Sequence, residues 1–169
     1  MKELIEKDIW DWIENYIEVS HEFYNDKFSP CPFARKARLG GDLSVTAWQT
    51  GSYQKFIEEQ LQKTPTVKVM VFPPNFRYAW LTRYYIRNLN KKIVSQDRYI
   101  QCGNAVDTES RYPGLKGNYS IVIINKLSDI ISGHQALKST NYYNNWSKKH
   151  YHNVVEVRQQ IKDKYEKID

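Results

Sequence analysis

The run Tyr119 to Asn125, YSIVIIN, constrains the fold more than any other stretch of the chain. Four successive apolar residues, Ile121 to Ile124, leave no polar face, so a strand here is covered on both sides. A second run, TVKVMVF from Thr66 to Phe72, reads as a strand stopped by Pro73 and Pro74. Leu43, Val45 and Ala47 alternate with polar neighbours and give a third strand, ending near Gln49 before Gly51.

Between these runs the apolar period changes from two to about 3.6. Ile5, Ile9, Trp12, Ile13, Tyr16 and Ile17 predict an amphipathic helix over residues 2 to 20. Ser52 is placed to cap a helix carrying Tyr53, Phe56, Ile57 and Leu61, which ends before Pro65. A long helix from about Arg77 to Val94 is predicted to bury Leu81, Tyr85, Leu89 and Ile93. Two more follow, one near Leu127 to Leu137 and a last one with Val154, Val157, Ile161, Tyr165 and Ile168 on its apolar stripe. Helices alternating with strands predict a single α/β or α+β domain spanning residues 1 to 169, with one sheet of three to five strands. A ferredoxin-like arrangement is one of the orders this permits. The turn-forming segment from Cys102 to Asn118 is the best candidate for an irregular functional loop.

A chain of 169 residues is large enough to bury one core without staples. Its thirteen tyrosines and five tryptophans suit either a tyrosine-lined cleft or a core built from large rings. With only Cys31 and Cys102, far apart, and no cationic and apolar leader, neither a disulfide framework nor secretion is indicated, and a reducing, cytoplasmic setting is expected. No apolar run is long enough to span a bilayer. The net charge of +6 favours anionic partners.

The segment FSPCPFARKARLGG, Phe28 to Gly41, carries the densest chemistry. Proline is favoured at the first position of a helix, so Pro32 nominates Cys31 as an N-cap. A thiol there faces the positive end of the helix, close to Arg35, Lys36 and Arg38, and both influences stabilise a thiolate. The bland alternative is a small residue turned into the interior at a proline corner. Gly40 and Gly41 end the helix within about two turns. Cys-Pro-Phe matches the order of a thioredoxin site, but Ala34 replaces the second cysteine and no strand precedes it, which rejects a dithiol oxidoreductase. His134, after Gly133, is the candidate general base for Cys31.

CPFA after an N-terminal amphipathic helix resembles a bacterial family of domains of unknown function that carry Asn-Leu-Cys-Pro-Phe-Ala, followed by strand, helix, strand and helix. VMVFPPNF is similar to that family's strand ending in His-Pro, and Tyr112-Pro113 before a strand gives a looser likeness. Ser29-Pro30 stands for the Asn-Leu and Phe72 for the histidine. The resemblance implies an architecture and a focus on Cys31 to Ala34, and no reaction or cofactor.

Arg83, Arg87 and Lys91 recur at four-residue steps beside Tyr84, a stripe able to meet phosphates while the tyrosine stacks on bases. A solvated helix face explains the same pattern. His150 and His152 are two apart and diverge on a helix, so they make poor joint metal ligands, and no metal site is expected. Phosphate-loop, HExxH and GxSxG signatures are absent. The leading expectation is therefore a pocket for an anionic small molecule, with Cys31 as thiolate or wall and Arg35, Lys36 and Arg38 as anion holders. The rivals are a nucleic-acid-binding module using the Arg83 stripe and an oligomeric interaction protein using its terminal helices.

Overall fold

A computed structural model describes residues 1–73, 76, 80–103 and 119–166. Strands β1 (Leu43–Ala47), β2 (Val67–Phe72), β3 (Arg98–Gly103) and β4 (Ser120–Lys126) form one mixed sheet in the order β1-β2-β4-β3. β1 and β2 are parallel neighbours joined through α3 (Tyr53–Leu61), while β4 runs antiparallel to both β2 and β3. A ferredoxin-like sheet splits its βαβ units with an intervening strand. Here β1 and β2 touch, so that arrangement is excluded and the fold is a different α+β sheet.

The register places Val45, Val69, Ile123 and Gln101 across one face and Met70, Val122 and Cys102 across the other. Helix α1 (Lys2–Trp12), extended by a π-turn over Ile13–Ile17, lays Ile9 and Ile13 on Val69, Val71 and Ile121 of the first face. The second face is covered by α3 and α4 (Trp80–Ile93), whose Ile57, Leu61, Ile86 and Ile93 pack on Met70, Phe72, Ile100, Val122 and Ile124. Coverage on both sides is what the unbroken apolar run of β4 requires.

The stripe of α4 is rotated from the one expected. Thr82, Ile86 and Ile93 are buried and Leu81 is exposed, because a 3.6-residue turn drifts off a strict four-residue step. Ser52 Oγ accepts from the Lys55 N–H at 3.3 Å and caps α3 as expected. Asp97, at the turn before β3, caps a different element: its carboxylate accepts from the Ser128 N–H at 2.7 Å and from the Ser128 hydroxyl. It thereby fixes the start of α5 (Leu127–Lys138) beside the start of β3.

β1 is one edge of the sheet, and β3, which no apolar run or alternation in the sequence marks, is the other. Its outward backbone is closed by a side chain: Asn90 donates to the Ile100 carbonyl at 2.9 Å and accepts from the Ile100 N–H at 2.8 Å. An amide side chain thus takes the place of a fifth strand, which blunts edge-to-edge pairing. Asn90→Ala is expected to cost about 1–3 kcal/mol, read as a lower urea midpoint at unchanged slope, and to make the apparent mass rise with concentration.

Both terminal helices bury their apolar stripes in the chain's own core, α1 on the sheet and the last helix on α5. The last helix runs from α6 (Lys148–Tyr151) through a π-turn over His152–Glu156 into α7 (Val157–Glu166). The extra residue of the π-turn rotates the stripe, so that Val155 is buried while Val154 and Val157 are half-buried. Ile168 and most of the candidate loop from Cys102 to Asn118, including Tyr112 and Pro113, lie outside the described residues. No helix among the described residues is long and apolar enough to cross a membrane.

Many of the aromatic residues form a satellite core. Tyr24 stacks on Tyr142 at 4.7 Å, and Phe28, Tyr143 and Trp146 close around them. This cluster holds the segment before Cys31 against the end of α5.

Candidate functional site

The Cys31 corner differs from the expected one. Helix α2 spans Ala34–Leu39 with Phe33 at its N-cap, so Cys31 lies outside the helix. The Ala34 N–H donates to the Cys31 carbonyl at 3.1 Å, closing a turn over Cys31 to Ala34. Pro32 occupies the second position of that turn, where its fixed φ is favoured, and Phe33, at φ −97 and ψ −13, has the geometry of the third. Pro30 is buried, and its carbonyl accepts from Tyr142 Oη at 2.6 Å. The Phe33 ring lies directly on α5, where a Cβ at Gly133 would come within 2.9 Å of it. The two prolines and the glycine therefore serve the docking of this corner onto α5.

Cys31 is open to solvent on its outer side, although the chain is dense on its inner side. It is reachable by solvent. Desolvation by the surrounding chain pushes the thiol pKa up, the backbone N–H groups of Phe33 and Ala34 pull it part of the way back, and the Glu18 carboxylate adds to the rise. Arg38 is engaged by carboxylates: its Nε and Nη2 donate to the Glu18 carboxylate at 2.8 and 2.9 Å, and Glu14 lies at 3.5 Å from Nη1. Arg35 and Lys36 are exposed and form no ion pair among the described residues.

His134 lies on α5 next to Gly133, yet no hydrogen bond joins it to Cys31. Its Nδ1 is 2.7 Å from Tyr143 Oη and its Nε2 is 3.3 Å from Arg158 Nη1. A guanidinium only donates, so Nε2 is the acceptor, and the ring proton sits on Nδ1 and is given to Tyr143. Arg158 reaches β3 with its other arm, donating from Nη2 to Gln101 Oε1 at 2.6 Å, and its guanidinium lies 5.7 Å from the Tyr99 ring centroid. Tyr99 and Gln101 share a sheet face because they are two apart on a strand. The cluster draws on β3, α5, the segment after α5 and α7, which is why only His134 of it was nominated from the sequence.

Desolvation, and then the Arg158 charge, lower the His134 pKa to about 4. Desolvation also draws the Arg158 pKa down and pushes that of Tyr143 up to about 12. No carboxylate pairs with Arg158 among the described residues. Beside His134, between α5 and the last helix, lies a half-open cavity of about 250 Å³. Ile131 and Val155 line it, with Gln135, Lys138, Glu156, Gln159 and Gln160 as its polar residues, and the Glu156 carboxylate is turned to His152 at 2.6 Å. Lys138 also has no ion-pair partner among the described residues.

The pH dependence follows from His134. Its folded pKa is below its unfolded value of 6.5, so the unfolded chain takes up the proton first as pH falls. The stability held by the neutral ring is full above pH 6.5 and is lost between there and about pH 4. The shift corresponds to about 3 kcal/mol, and solvent reaching the half-buried ring cuts this to about 1–2 kcal/mol. Urea unfolding at stepped pH is expected to show this loss in the parent and not in His134→Gln.

Arg83, Tyr84, Arg87 and Lys91 are all exposed on α4, away from the Cys31 corner. His152 pairs with Glu156 at 2.6 Å while the His150 ring lies on Trp146 at 4.3 Å, so the two histidines face different partners. Among the described residues no group of three or more His, Cys, Asp or Glu could hold a metal ion. No family model matches the chain, and no curated protein or solved structure matches it either. The chemistry of the residues alone carries the functional reading.

Proposed function

We propose that the protein binds a small anion in the cavity between α5 and the last helix, with Lys138 as the contact cation and Arg158 as the charge behind the His134 ring. The observation that carries this reading is a partly buried guanidinium with no carboxylate partner among the described residues, next to a solvent-open cavity. A desolvated charge without a counter-ion is costly, and an anion close by offsets that cost. The neutral imidazole lets the field of Arg158 reach the cavity without adding a second desolvated charge. Gln135 and Gln159 supply amide groups around Lys138.

Size narrows the ligand. At about 250 Å³ the cavity is below the usual range for drug-sized ligands, which suits phosphate or a short carboxylate and not a nucleotide. Calorimetric titration with inorganic phosphate and a series of mono- and dicarboxylates is expected to give saturable binding with a dissociation constant of about 1 mM or tighter for at least one of them. Lys138→Gln, a surface change, is expected to weaken it about tenfold. Absence of saturation with every anion, or an unchanged constant in Lys138→Gln, removes this site.

A further inference from the structure

A second surface, distant from that cavity in character, is the outer face of α4. Between Trp80 and Ile93 the helix contains no carboxylate, and its inward positions are taken by Thr82, Ile86, Asn90 and Ile93. Arg83, Arg87 and Lys91 project from successive turns on the outer side, and Tyr84 stands beside them at 63% exposure with Leu81 at 55%. An acidic neighbour, Glu58 of α3, is held by Tyr85 Oη at 3.0 Å, on the opposite flank of the helix from the basic stripe. Arg87 and Lys91 form no ion pair among the described residues. A row of cations with no anion on its own helix, next to an exposed ring, is complementary to a chain of phosphates carrying flat bases.

We propose that this face binds single-stranded nucleic acid, with Arg83, Arg87 and Lys91 on consecutive phosphates and Tyr84 stacked on a base. The exposed ring selects the single strand. Every fourth helical residue advances about 6 Å, so the three cations follow the phosphates of one strand turn by turn. Unstacked bases are also the ones free to lie on a tyrosine ring. Charge alone is indifferent to the polymer; the exposed ring distinguishes a nucleic acid from an acidic protein.

Fluorescence anisotropy with labelled oligo-dT and oligo-U of about fifteen nucleotides tests this. Three neutralised phosphates give a slope of log affinity against log salt of about −2, hence about a twentyfold loss between 50 and 200 mM salt. The variant Arg83→Glu, Arg87→Glu, Lys91→Glu is expected to lose more than tenfold in affinity, and Tyr84→Ala fivefold or more, with thermal unfolding of both variants unchanged. No binding at 50 mM salt, or affinity unmoved by the charge reversal, overturns the proposal. Equal competition by duplex or by heparin, together with an unchanged constant in Tyr84→Ala, also overturns it and assigns the face to acidic polymers in general. Because the stripe and the Lys138 cavity share no residue, failure of one reading leaves the other measurable.

Discussion

Phe72→Ala is expected to lower the unfolding free energy by about 3–5 kcal/mol, a third or more of what a domain of this size commonly has. The ring closes β2 at 1% exposure, stacked on Phe76 at 3.9 Å and 7°. Phe56 meets it edge-on at 5.7 Å and Trp48 lies tilted at 6.1 Å. Truncation there opens a cavity between β2, α3, Trp48 after β1 and Phe76, and the parallel ladder of β1 and β2 leaves it little room to collapse. Phe72→Leu, which keeps most of the apolar contact, is expected to lose about 1–2 kcal/mol. Urea unfolding checks both, and a loss below about 1 kcal/mol for the alanine variant shows that the site collapses freely. Its burial in an aromatic stack gives Phe72 a packing role in this chain.

The elements legible in the sequence are those whose signal is local. The unbroken apolar runs of β2 and β4, the alternation of β1 and the Ser52 cap of α3 each lie within one segment. β3 escaped because RYIQCG puts Tyr99 and Gln101 on a face that meets a polar cluster, and because its outer edge is closed by Asn90, ten residues away from Ile100. The helix start at Pro32 was misplaced for a related reason: proline suits the second position of a β-turn as well as the first of a helix, and Cys31 to Ala34 forms the turn. Arg38 was grouped with Arg35 and Lys36 by adjacency, while Glu18, twenty residues earlier, claims its guanidinium. Arg158 did leave a trace. It falls four residues after Val154 and three before Ile161, so a charged residue sits on an apolar stripe, a pattern that marks a buried polar partner.

Arg158→Met is expected to cost about 2–4 kcal/mol at neutral pH, although it removes a desolvated charge. Two effects oppose each other. Methionine relieves the penalty of holding a guanidinium away from water without a carboxylate, which alone would stabilise the fold. It also strips the partner from Gln101 Oε1, bonded at 2.6 Å, and from His134 Nε2, bonded at 3.3 Å, and frees the Tyr99 ring face. Each acceptor left buried costs about 1–3 kcal/mol, and the two together outweigh the relief. The asymmetry gives a control: in Arg158→Met with Gln101→Leu both ends of the shorter bond become apolar, so part of the lost stability returns. His134 provides an independent readout, because the Arg158 charge is one of the two influences that hold its pKa near 4, and an NMR titration of the ring is expected to move upward in the variant while desolvation keeps it below 6.5. A stabilised Arg158→Met protein, with the His134 titration unmoved, means that the guanidinium is solvated and that no unpaired charge stands behind the cavity.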